Sequence, residues 1–91
     1  MASVIVSLRI MPEAPDSDLE RIAGEAKGLI EEFGGKVGKT EFSDVAFGLK
    51  SINIMFIMPE AKGGTEELET KISGINEVSS VEVTDVRRAI G

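Results

Sequence analysis

Apolar and polar residues alternate from the start of the chain. In "SVIVSLRIM", Val4, Val6, Leu8 and Ile10 fall on one side and Ile5, Ser7 and Arg9 on the other. A period of two is that of a strand with one face buried. After "PEAPDSDLE", whose prolines and cap formers break the strand, the period changes. Leu19, Ile22, Ala26, Leu29, Ile30 and Phe33 recur at three- and four-residue steps, one stripe of a helix over "LERIAGEAKGLIEEF". Ser17 followed by Glu20 fits a capping box at its start, and Gly34-Gly35 stops it. "KVGKTEFS" is short, polar and β-leaning, the pattern of an edge strand. In "AFGLKSINIMFIMP", the most hydrophobic stretch, Ile52, Ile54, Phe56 and Met58 alternate strictly, which predicts a central strand. Past Gly63-Gly64, Thr65 is placed to cap a helix holding Leu68, Ile72 and Ile75 on one side, closed by Gly74. "VSSVEVTDVRR" returns to period two and is the last strand.

The order β-α-β-β-α-β within 91 residues predicts one domain, 1–91, of the α+β class. It is the split βαβ plan of a ferredoxin-like sandwich, a four-stranded antiparallel sheet with two helices on one face. That fold hosts many activities, so function has to come from particular residues.

Composition narrows the field. The chain has neither cysteine nor histidine. Thiolate nucleophiles, disulfides, imidazole metal ligands and the usual proton shuttle near neutral pH are all excluded. The expectation is a protein with no bound cofactor or metal and no catalytic residue. A formal charge of −6 argues against nucleic acid or an anionic membrane as the partner, since both call for a dense basic patch. With no run approaching 18 apolar residues, the expected location is the cytoplasm.

"GGKVGKT", Gly34 to Thr40, imitates a phosphate-binding loop but fails it twice. Only three residues separate Gly34 from Gly38 where four are required, and a helix precedes the stretch where a strand should. The loop after the first strand, "MPEAPDSD", makes a poor phosphatase cradle, because prolines lack N–H donors and the acids repel phosphate. An RNA-recognition motif would set aromatics on the central strands. Here "AFGLKSI" has Leu49 where the second aromatic belongs, and "VIVSLRI" has none. A ligand-sensing module of the same fold is neither excluded nor specifically supported.

The distinctive stretch is "DVAFGLKSINI". Phe47 follows a turn-like "SDVA" and precedes the strand proper, so it is either core or an aromatic held out at the sheet's end with Lys50 nearby. An exposed aromatic on a rigid strand is an anchor for a protein partner.

With these residues, the chain resembles the short archaeal elongation factor 1-beta family, guanine-nucleotide exchange factors of elongation factor 1-alpha. The resemblance runs from the opening strand and "MPEAPDSDLE" through "AFGLKSINI" and "GGTEELETKISGINEVSSVEV" to "VTDVRRAIG". It implies the same ferredoxin-like fold, a GTPase partner, no covalent chemistry and a monomer. In that family the aromatic of an "FG" motif inserts into the partner; it maps onto Phe47, with Gly48 permitting close approach and Lys50 matching a family lysine. Eukaryotic members end in a lysine that enters the partner's metal site, and its position falls here on Gly91. Arg87 and Arg88 are the basic residues near the end and become the expected second contact, with Lys36 and Lys39 as further candidates. A ferredoxin-like small-molecule-sensing or RNA-binding module is the alternative.

Overall fold

A computed structural model describes residues 2–89. Strand β1 (Ser3–Pro12) is followed by helix α1 (Leu19–Phe33), strands β2 (Lys36–Asp44) and β3 (Lys50–Pro59), a single 3-10 turn (Glu60–Lys62), helix α2 (Glu66–Ser73) and strand β4 (Val78–Ala89). The four strands lie in the order β2-β3-β1-β4, each pair antiparallel. Both helices cover one face of the sheet, so the architecture is the ferredoxin-like α+β sandwich that the periodicity predicts.

The register turns alternation into two faces. Val6 pairs with Phe56, Leu8 with Ile54 and Ile10 with Ile52, and all six are at most 1% exposed beneath Ile22, Ala26, Ile30, Leu68 and Ile72. Burial of each such side chain stabilises the fold by about 1.5–3 kcal/mol. The six are what commit the opposite residues, Ile5, Ser7, Arg9, Asn53, Met55 and Ile57, to the uncovered face.

Helix α1 starts one residue later than the capping box implies. Asp18 is the N-cap and its carboxylate accepts from the Arg21 N–H at 3.2 Å. Ser17 instead accepts from the Ala14 N–H at 3.2 Å, closing the preceding turn. Two cap formers stand side by side, and the anion is the better acceptor at the positive end of a helix. At the other end Gly34 takes φ 106, and the N–H of Gly35 returns to the Ile30 carbonyl at 2.9 Å. The phosphate-loop look-alike is therefore a helix stop running straight into β2. Thr65 precedes α2, but its hydroxyl donates to Glu69 at 2.8 Å and does not cap.

Arg21 ties this layer to the loop before β4. Its guanidinium donates to Glu77 at 2.7 Å, to the Asn76 carbonyl at 3.0 Å and to Glu25 at 2.5 Å. Hydrogen bonds to Glu77 and then to Glu25 raise its pKa above the ordinary guanidinium value.

Candidate partner-binding site

Strands β2 and β3 form a hairpin, with Asp44 opposite Lys50 as its last register pair. The connection closes through the Leu49 N–H to the Ala46 carbonyl at 3.2 Å and the Val45 N–H to the Leu49 carbonyl at 2.8 Å. The two central residues are Phe47 at φ 61 and Gly48 at φ 77. Two positive φ angles in succession are the signature of a type I′ turn, whose usual occupants are Asn-Gly or Gly-Gly. Phe47 sits at the tip, 93% exposed. Of the two placements open to it in the sequence, core or sheet end, it takes the second. The tip leans toward the β1–α1 loop, where a Cβ on Gly48 would lie 3.9 Å from Pro15. Lys50 is exposed at the base of the hairpin.

Arg87 and Arg88 are not near this tip. Arg88 pairs in register with Val4, which pairs across with Met58. From Met58 back to Lys50 is eight steps along β3, about 26 Å at about 3.3 Å each. The two arginines thus occupy the opposite end of a molecule 42 Å long. They also point to opposite faces, because successive strand residues do. Arg87, level with Ile5, is on the open face and donates to Asp85 at 2.8 Å; Arg88 is on the helix side and donates to Glu60 at 2.5 Å. Gly91, the position matched to the eukaryotic lysine, lies outside the described residues.

The open face does gather other cations at that end. A bulge in β2 between Val37 and Lys39 shifts the register by one, so Lys36 opposes Ile57 and Lys39 opposes Met55. Without the bulge, residues three apart would face opposite ways. Lys36, Ile57, Ile5 and Arg87 consequently form one row across the sheet, with Lys39, Met55, Ser7 and Asp85 as the next. Met55 and Ile57 are each 41% exposed there.

The four phenylalanines settle where stacking surfaces lie. Phe56 is in the core, Phe33 packs against it, Phe42 pairs with Ile52 on the helix side, and Phe47 is at the tip. The open face has no aromatic ring, so the base-stacking platform of an RNA-recognition motif is absent. No group of three or more acidic side chains among the described residues is placed to hold a metal ion, and no helix among them is long and apolar enough to cross a membrane.

The model of the EF-1 guanine nucleotide exchange domain matches residues 5–89. This chain belongs to that family. Elongation factor 1-beta of Methanothermobacter thermautotrophicus is 44% identical over 88 residues, 97% of this chain and 98% of that one. Elongation factor 1-beta of Metallosphaera sedula is 39% identical over 89 residues, with 97% of each chain covered. Among solved structures, the ACT domain from GTP pyrophosphokinase of Chlorobium tepidum superposes with a TM-score of 0.61 at 20% identity, covering 89% of this chain and 97% of that one. The de novo designed protein Foldit4 gives 0.65 at 17%, with 98% of each covered. At these identities the structural likeness speaks for the fold alone. As an EF-1 exchange domain, the chain has its role in translation elongation as a guanine-nucleotide exchange factor.

Proposed function

We propose that this protein accelerates exchange of GDP for GTP on elongation factor 1-alpha, with Phe47 as the anchor that enters the GTPase. The observation that carries the reading is the phenylalanine at the hairpin tip, 93% exposed and without a packing role in its own chain. Gly48 lets the partner approach the turn and Lys50 supplies a charge beside it. The rim of the receiving pocket is expected to be basic, since Glu13, Asp16 and Asp44 share that end of the molecule.

No bond is made or broken. An exchange factor binds the nucleotide-free GTPase more tightly than the GDP form, and linkage requires that it loosen GDP by the same factor. A thousandfold acceleration lowers the barrier by about 4 kcal/mol. Seating one Phe ring in an apolar pocket contributes about 1.5–3 kcal/mol of that. The balance falls to the opposite end, where Arg87 on the open face and Arg88 on the helix side are the second contact and Lys36 and Lys39 lie on Arg87's face at the other edge of the sheet, with two strands between. In this reading one GTPase spans both ends, and the far contact disturbs its nucleotide and Mg²⁺ site. The protein acts as a cytoplasmic monomer, binds no cofactor and makes no direct contact with nucleic acid.

The test is release of mant-GDP from the cognate elongation factor 1-alpha at rising concentrations of this protein. Saturable acceleration at substoichiometric amounts is expected. No acceleration at saturation sinks the proposal, and saturable RNA binding with a steep salt slope would put an RNA-binding module in its place.

A further inference from the structure

The conformation of Phe47 has an energetic oddity. A bulky L-residue at φ 61 is a genuine outlier, because its Cβ crowds the following carbonyl. The two hydrogen bonds that close the turn run between backbone atoms of Val45, Ala46 and Leu49, so the side chain at position 47 takes no part in them. The ring is 93% exposed and receives no packing in return. Asn in this place would complete the favoured Asn-Gly turn. The chain thus retains a strained aromatic that stabilises nothing within it, and strain of this kind persists where it serves a function.

We propose that the β2–β3 turn is a presentation device, in which the left-handed backbone at Phe47 and Gly48 fixes the ring's direction before the partner arrives, and Gly48 is its positioning residue. A freely rotating tip would visit the productive direction a fraction of the time and lose affinity by that fraction. The turn removes the loss at the expense of fold stability. Two effects follow with opposite signs. Phe47→Asn relieves the strain and removes the anchor, so it raises the melting temperature while lowering exchange by about 10- to 150-fold. Gly48→Ala keeps the anchor but puts an L-side chain at φ 77, which disfavours the turn.

The experiment is to make by chemical ligation the native chain, Phe47→Asn, Gly48→Ala and Gly48→D-Ala, and to measure melting temperature and acceleration of mant-GDP release from elongation factor 1-alpha for each. A D-residue prefers positive φ, so its methyl tests the geometry with the same added volume. The expected result is a melting temperature raised by about 4 °C in Phe47→Asn. Gly48→Ala is expected to melt lower and to need about tenfold more protein for half-maximal acceleration, with Gly48→D-Ala recovering both. The identity of the partner rests on the exchange-factor reading, whereas the melting arm does not. If native protein fails to accelerate release, that reading falls while the melting comparison still judges the turn. Equal melting of Gly48→Ala and Gly48→D-Ala overturns the geometric claim. Loss of exchange in both, with melting recovered in the D-form, overturns the positioning role in favour of direct contact at Gly48.

Discussion

Two glycines in α1 allow fold and function to be separated. Gly24 and Gly28 lie in the helix interior, are exposed, and have nothing within 4 Å of the place a Cβ would occupy. Glycine in a helix loses more backbone entropy on folding than alanine, by about 0.8–1.0 kcal/mol per residue. The variant carrying Gly24→Ala and Gly28→Ala is therefore expected to be more stable by about 2 kcal/mol, the free space offering no clash to offset the gain. For a domain of this size that raises the melting temperature by about 8–15 °C. The assay is thermal and urea unfolding followed by circular dichroism, with mant-GDP release measured in parallel. Exchange should be unchanged, because this outer helix face holds none of the residues assigned to the partner. An unchanged or lower melting temperature would refute the packing argument. A stabilised variant that no longer promotes exchange would refute the placement of the partner surface.

Gly35 should behave in the opposite way. A Cβ there would lie 2.8 Å from both Ile30 Cγ2 and Phe56 Cδ2, so Gly35→Ala is expected to lower stability by about 1–3 kcal/mol in urea titration. Arg21→Met removes the tie to Glu77 and Asn76 and should lower the melting temperature. Because the folded pKa of Arg21 is raised, its contribution is present at every pH below the ordinary guanidinium value and is lost only as pH rises through the raised one. The destabilisation should accordingly be seen at neutral pH, and an unaltered melting temperature there would count against the tie. Arg87→Ala is expected to slow exchange about three- to tenfold, more at low salt than at high. Arg88→Ala should have the smaller effect, as Arg88 is on the helix side, away from the face that carries Lys36 and Lys39; a larger effect would make the helix side the main part of the second contact.

Much of the fold was legible because periodicity is a property of the chain itself. The bounds of α1 follow from an apolar stripe set between a cap former and a glycine pair, and the faces of β1 and β3 follow from alternation. The N-cap was not legible, since Ser17 and Asp18 are adjacent cap formers and only the contacts to Ala14 and Arg21 decide between them. The bulge in β2 left one faint mark, Gly38 inside a strand, and it is the bulge that carries Lys36 and Lys39 to the same face. The separation of Arg87 from Arg88 was available to the same alternation argument, as neighbours on a strand face apart. Their distance from Phe47 required the sheet order, which pairing across non-adjacent strands sets. The positive φ of Phe47 has no signature in residue type, since Phe is among the residues least suited to it.

The most direct test of the account compares the native chain with Phe47→Ala in mant-GDP release from elongation factor 1-alpha, with folding of both confirmed by circular dichroism. The ring is 93% exposed, so its removal leaves the core intact. Loss of about 1.5–3 kcal/mol of transition-state binding corresponds to a fall of about 10- to 150-fold in the apparent second-order rate constant of exchange, with folding unaffected. A folded Phe47→Ala that promotes release as well as the native protein would contradict the account.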